Sequence, residues 1–229
     1  MTTVLVTGAN RGIGLEFTRQ YANDGAKVIA CCRKPDNADQ LKALARSNDN
    51  IDVHALDVSE FAAAKALAKD LAREPIDILI NNAGTYGPKR QSADDMDFDG
   101  WAYTFTVNTM GPLAVAQAFL ASLTRGHEKK IVSITSGMAS TAENGGGYLA
   151  YRASKAALNN VVKSLSVDWR GDGIIAVVLD PGWVKTDMGG KNAPTSPEES
   201  VAGMRKVIAK LKQADSGKFL NRRGEEEPW

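Results

Sequence analysis

Hydrophobic positions in this chain follow two alternating rhythms. Predominantly apolar runs stand at residues 4–6, 26–31, 53–56, 76–80, 131–134 and 174–179, with a last one at 218–220. Between them apolar side chains recur at helical spacing, as in Leu15, Phe17 and Tyr21, in Leu41 and Leu44, and along residues 60–73, 101–123 and 148–169. A short run that is apolar at every position suits a strand buried on both faces, and the helical stretches suit cover for those faces. This order predicts an α/β fold, a doubly wound parallel sheet of about seven strands with helices on both sides. Ligands of such sheets sit beyond the carboxyl ends of the strands, so each strand end is a place to look for chemistry.

Composition narrows the reading without redirecting it. With 229 residues, 43% of them apolar, the chain is expected to form one domain, residues 1–229, around one sizeable core. A formal charge of +1 gives no general pull toward nucleic acid or an anionic membrane. Met1, Thr2 and Thr3 lead straight into the first run, no run is long enough to span a bilayer, and the two cysteines, Cys31 and Cys32, are adjacent. A reducing, cytoplasmic setting is the expectation. His54 and His127 are far apart and share no spacing with the cysteines, so no metal site is expected.

The first strand end carries the sharpest local signal. Residues 7–14 read Thr-Gly-Ala-Asn-Arg-Gly-Ile-Gly, between an apolar run and a helical pattern. Glycines let the main chain turn and approach a ligand closely, and the free N–H groups at a helix start attract phosphate. Alone, Gly8, Gly12 and Gly14 fit a ligand-free tight turn as well as a dinucleotide site. The second strand ends in Cys32-Arg33-Lys34. A carboxylate there would accept a ribose 2′-hydroxyl, whereas a guanidinium binds a 2′-phosphate, so Arg33 argues for NADP(H) over NAD(H). Arg11 could approach the same phosphate from the other side. After the third strand stand Asp57 and Val58, with Asp57 equally suited to cap a turn or to bind adenine. The fourth strand ends in Asn81-Asn82-Ala83-Gly84.

The remaining strand ends carry candidates for catalysis. Ser136 closes the run that starts at Ile131, and Tyr151 and Lys155 lie four apart on the following helix, on one face. A phenol titrates near pH 10, so the ammonium of Lys155 and the positive charge of an oxidised nicotinamide are expected to draw the Tyr151 pKa down toward the working range. Tyr148, seven before Lys155, could share that face.

Taken together, Thr7-Gly8-x-x-x-Gly12-x-Gly14, Asn81-Asn82-Ala83-Gly84, Asn108, Ser136, Tyr151-x-x-x-Lys155 and Pro181-Gly182 resemble the single-domain short-chain dehydrogenases/reductases, in order and along essentially the whole chain. The segment from Tyr148 to Asn159 resembles the branch that includes Sniffer-type carbonyl reductases and C-factor-like proteins. The resemblance implies a Rossmann fold and hydride transfer between a nicotinamide and a carbonyl or alcohol. It implies that Tyr151 donates a proton to the carbonyl oxygen, that Ser136 hydrogen-bonds that oxygen, and that Lys155 holds the nicotinamide ribose. Asn108 would support a water that relays protons to Lys155, or else simply interrupt its helix. Cofactor contacts are implied for Gly8, Asn10, Arg11, Gly12, Ile13, Gly14, Arg33, Asp57, Val58, Asn82, Ala83, Gly84, Tyr151, Lys155, Pro181, Gly182, Val184 and Thr186. Ser136 and Tyr151 are further apart than is usual in the family, which places a small insertion between Met138 and Tyr148.

Tyr86, Trp183 and the loop after Ser136 would bound a largely apolar substrate pocket, which favours a small hydrophobic aldehyde or ketone. Residues 188–197 read as a mobile linker, of which Met188 to Pro194 would be a lid short for the family, and Ser196-Pro197-Glu198-Glu199 reads as a helix start. The competing reading is a dinucleotide-binding signalling protein like C-factor. Phe105, Val115, Phe119, Leu158, Val162 and Leu165, apolar on more than one helix face, point to a homodimer or homotetramer.

Overall fold

In the computed structural model, which describes residues 1–229, strands and helices alternate almost without exception. The order is β1 (Thr3–Thr7), α1 (Gly12–Asn23), β2 (Lys27–Cys32), α2 (Asp39–Arg46), β3 (Ile51–Ala55), α3 (Phe61–Asp70) and β4 (Ile78–Asn81). There follow α4 (Phe98–Phe105), a π-helical turn (Thr106–Met110), α5 (Gly111–Ala118), α6 (Leu120–Arg125), β5 (Lys130–Ile134), α7 (Leu149–Asp168), β6 (Ile175–Asp180), α8 (Pro197–Lys210) and β7 (Phe219–Asn221). All seven strands are parallel, in the order β3-β2-β1-β4-β5-β6-β7. This is the doubly wound Rossmann arrangement.

Alternation along each strand divides the core in two. Val4 and Val6 face one apolar cluster with Val28, Ala30 and Phe17, while Leu5 faces the other with Ile29, Leu79 and Phe119. The clusters hold 25 and 23 buried residues, so both faces of the sheet are covered and neither is left for solvent. β1 sits between β2 and β4, where the strand order reverses, and its carboxyl end opens the crevice in which this architecture binds ligands.

Several sequence boundaries shift for identifiable reasons. β2 starts at Lys27 and runs through Cys32 because its ladder follows Thr3–Thr7 of β1 and then Ile51–Ala55 of β3. β3 is an edge strand with Asp52 exposed, so apolar character alone misplaces its ends. The stretch 101–123 is broken at the π turn, and α7 begins one residue after Tyr148, which adopts a left-handed backbone (φ 49°). Ser196 caps α8 as its sequence predicts, its hydroxyl accepting from Glu199 N at 3.1 Å, but the Glu199 carboxylate pairs with Arg222 at 3.0 Å. Val115, Phe119, Leu158, Val162 and Leu165 belong to the chain's own core, so they carry no argument for association. The apolar side chains left exposed include Phe98, Tyr103, Met110 and Val167. No helix is long and apolar enough to cross a membrane.

Candidate active site

The turn after β1 is built around contacts that exclude side chains. Gly8 and Gly12 have φ of +67° and +54°, a region costly for any residue with a Cβ. A Cβ on Gly8 would lie 2.9 Å from Ala83 Cα, one on Gly14 would lie 2.2 Å from Gly8 O, and one on Gly12 would lie 3.2 Å from Thr186 Cγ2. The first two contacts seat the turn on β4 and α1, and the third sets it against the segment after β6. Thr7 Oγ1 accepts from Asn82 N and Ala83 N, both at 3.0 Å, while Asn82 Nδ2 donates to Thr7 O at 2.9 Å and Gly8 O at 3.2 Å. Half-buried Ile13 packs on the core, and half-buried Asn10 lies in the turn itself. α1 has no side-chain cap and no acidic residue in its first turn, so its N–H groups stay available to an anion. This cradle fits a dinucleotide pyrophosphate.

The far end of the cleft differs from the sequence expectation in one respect. Arg33 stays 63% exposed, with Nη1 3.4 Å from the Tyr103 hydroxyl and Nε 4.0 Å from Asp57 Oδ2. Asp57 uses Oδ1 to accept from Ser59 N (3.0 Å) and Ser59 Oγ (2.6 Å), so it caps its turn while its other oxygen faces Arg33. Val58 is buried and packs on Gly111. Arg11 does not join Arg33; it bonds Asp187 at 2.6 Å, because the chain after β6 passes directly over the glycine turn.

Four elements converge on the candidate catalytic groups. β5 leads into Ser136, whose hydroxyl accepts from Met138 N at 3.2 Å. α7 presents Tyr151 and Lys155, 7% and 5% exposed. Tyr148 is half exposed and precedes the helix, which removes it as a competitor. Lys155 Nζ donates to Ile134 O at 2.7 Å. A Cβ on Gly84 would lie 3.7 Å from Lys155 Nζ and 3.3 Å from Asn108 Oδ1, which makes those two groups neighbours across the end of β4.

Burial governs both titrations. It pushes Tyr151 up to about 12, with the Ser136 hydrogen bond opposing and the charges of Asp180 and Tyr86 adding to the rise. Burial thus shifts the phenol in the direction opposite to the lowering expected from Lys155 and an oxidised nicotinamide. Burial also brings Lys155 down to about 8.

Asn108 interrupts its helix and is bonded at every side-chain group it offers. Oδ1 accepts from Thr85 N (2.8 Å), and Nδ2 donates to Thr85 O (2.8 Å) and Ser154 Oγ (3.0 Å). Pro112, four residues on, has no N–H to make an α-helical bond to the Asn108 carbonyl.

Beyond β6, Pro181 O accepts from Ser200 Oγ at 2.7 Å and Gly182 has φ of +76°. Val184 is buried and bridges to Thr195, Lys185 N donates to Thr195 O (2.8 Å), and Thr186 Oγ1 accepts from Gly189 N (3.1 Å). With Ala193 and Thr195 also buried, residues 188–197 form a bonded turn in place of the mobile linker expected from their Gly, Asn and Pro content.

Sequence reasoning missed three groups here. Asp180 accepts from Gly137 N at 3.0 Å, immediately after Ser136, and burial raises its pKa. Glu227 comes from residues 225–229, which fold back along β7, and burial followed by the charges of Asp180 and Glu143 raises it to about 7. Arg152 donates to the carbonyls of Met138, Gly146 and Gly147 at 3.0–3.2 Å, fastening the loop that lengthens the Ser136–Tyr151 separation. Asp180 and Glu227 act on groups distant in sequence, whereas Arg152 bonds the loop immediately before its own helix.

Comparison with known proteins agrees with this geometry. Residues 2–197 match the family described as short chain dehydrogenase. The C-signal protein of Myxococcus xanthus is 45% identical over 166 residues, 72% of this chain and 99% of that protein. The NADPH-bound carbonyl reductase from chicken fatty liver superposes with a TM-score of 0.93 at 37% identity, covering 100% of this chain and 99% of the other. The Drosophila melanogaster carbonyl reductase Sniffer gives 0.93 at 32% identity, with both chains fully covered. The glycine cradle, the Ser136–Tyr151–Lys155 cluster and these likenesses place one conclusion beyond the fold itself: the chain belongs to the short-chain dehydrogenase family.

Proposed function

We propose that the protein is an NADP(H)-dependent reductase of small, hydrophobic aldehydes or ketones, with Tyr151 as the proton donor. The observation that carries this reading is the convergence of Ser136 after β5, Tyr151 and Lys155 on α7, and Asn108 in the π turn, beside the glycine cradle. Reduced nicotinamide, when bound, supplies a hydride to the carbonyl carbon. The substrate oxygen then takes the proton of the Tyr151 hydroxyl, while the Ser136 hydroxyl stabilises the charge that develops on it. Burial that pushes Tyr151 up to about 12 keeps the phenol protonated at neutral pH, the form that reduction needs. Lys155, brought down to about 8, still carries its charge near neutrality and can help the phenolate form. Arg33 faces the ribose end as the 2′-phosphate partner, and neighbours of known structure include a carbonyl reductase solved with NADPH.

The test is NADPH oxidation across a panel of aldehydes, quinones and diketones, with Tyr151→Phe alongside. Turnover that disappears in Tyr151→Phe while NADPH still quenches protein fluorescence is the expected result. Undiminished turnover in Tyr151→Phe would contradict the assignment. NADPH binding without reduction of any carbonyl would instead favour a dinucleotide-binding signalling role.

A further inference from the structure

Gln91 stands in the connection between β4 and α4, outside every motif, yet it is only 6% exposed and its amide is fully used. Nε2 donates to Tyr86 O at 2.9 Å and to Pro88 O at 2.8 Å. Oε1 accepts from Tyr151 N at 3.1 Å, and the Gln91 carbonyl accepts from Leu149 N at 3.1 Å. These four bonds join the loop around Tyr86 to the first turn of α7.

That turn needs the help. The first N–H groups of a helix have no partner within it, and Tyr148, the residue at the start of α7, makes no side-chain cap. Gln91 meets two of those donors from sixty residues away, one of them belonging to Tyr151 itself. Its other half fixes Tyr86, whose ring lies against that of Tyr151 with centroids 4.7 Å apart and planes at 38°. Gly87, at φ +89°, wraps so closely that a Cβ there would lie 3.3 Å from Gln91 Oε1.

We propose that Gln91 is a positioning residue for Tyr151: its amide oxygen anchors the start of the helix that carries the phenol, and its amide N–H groups hold the Tyr86 ring over it. This rests on the reading of Tyr151 as the proton donor. Loss of the amide frees the helix start and lets water reach the phenol, which weakens the burial that raises its titration.

Gln91→Glu and Gln91→Leu separate the two halves, since glutamate keeps the acceptor and loses both donors, whereas leucine loses everything. The expected result for Gln91→Leu is a kcat lowered more than about tenfold, as misplacement of a reacting group commonly does. Gln91→Glu loses less, and NADPH affinity by fluorescence stays at the wild-type value in both. Ultraviolet titration of tyrosinate, with the Tyr151→Phe curve subtracted to assign the phenol, should move to lower pH in Gln91→Leu, which adds no charge. Wild-type kcat and an unmoved phenol titration in Gln91→Leu, after correction for folded fraction by circular dichroism, would overturn the proposal. If the leucine variant does not fold, kcat of Gln91→Glu decides it, a wild-type value overturning the proposal. Tyr151→Phe that remains active would remove the underlying assignment, an outcome distinct from inactive Tyr151→Phe beside unaltered Gln91 variants.

Discussion

Replacing Gly14 by alanine tests how closely the cradle is built. In an open helix this substitution stabilises by about 0.5–1 kcal/mol, because glycine loses more backbone freedom on folding. Here the new methyl would sit 2.2 Å from Gly8 O and 2.4 Å from Asn82 Nδ2, well inside contact distance. Relief requires the turn or the Asn82 amide to move, and forced overpacking of this kind costs about 1–3 kcal/mol. Moving Asn82 also endangers its bonds to Thr7 O and Gly8 O, each worth about 0.5–1.5 kcal/mol. The net expectation is a loss of roughly 2–4 kcal/mol, or about 4–16 °C in Tm for a chain of this length. Gly171 is the matched control: it lies in a helical turn outside the left-handed region, and nothing stands within 4 Å of its Cβ position. There alanine should stabilise by about 0.4–1 kcal/mol. Thermal unfolding by circular dichroism reads both, and NADPH titration should show weakened binding for Gly14→Ala alone. A Gly14→Ala protein that melts at or above the wild-type temperature would refute the argument, as would an equal loss in Gly171→Ala.

Two further outcomes follow from the charges. Glu227 holds its proton up to about 7 against an ordinary 4.5, so the folded chain binds that proton more tightly than the unfolded one. The associated stability is complete below about 4.5 and is lost as pH rises through about 7, so Glu227→Gln should flatten the fall of Tm across that window; parallel Tm–pH curves would refute it. The exposed Arg11–Asp187 pair should add less than about 1 kcal/mol to stability, yet it spans the mouth of the cradle. Asp187→Asn should therefore speed NADPH release in stopped-flow fluorescence and abolish the acceleration that salt produces in the wild type. Identical release rates would show that the pair spans nothing of consequence.

Local chemistry made much of the fold legible. Runs such as Ile76 to Ile80 and Ile174 to Leu179 lie within a residue or two of β4 and β6 because a central parallel strand must be apolar on both faces. β3 was harder to delimit, since an edge strand shows solvent one of its faces. In the site, Gly8, Gly12 and Gly14 were legible because only glycine tolerates those backbone angles and contacts. Tyr151 and Lys155 were legible because four residues return to one helix face.

What sequence could not supply was any quantity set by neighbours from other elements. The upward shift of Tyr151 was not legible, since burial beside Tyr86 and the nearness of Asp180 depend on how β6 and the β4–α4 connection close over α7. The pairing of Arg11 with Asp187 was likewise out of reach, because it arises only where the chain after β6 crosses the glycine turn. The primary structure by itself determined the alternation of strands and helices and the order of the reactive side chains, because periodicity and backbone tolerance are properties of adjacent residues. Which groups are buried, which are paired and where their protons sit was decided by the tertiary structure, because desolvation and hydrogen bonding depend on distances that only packing sets.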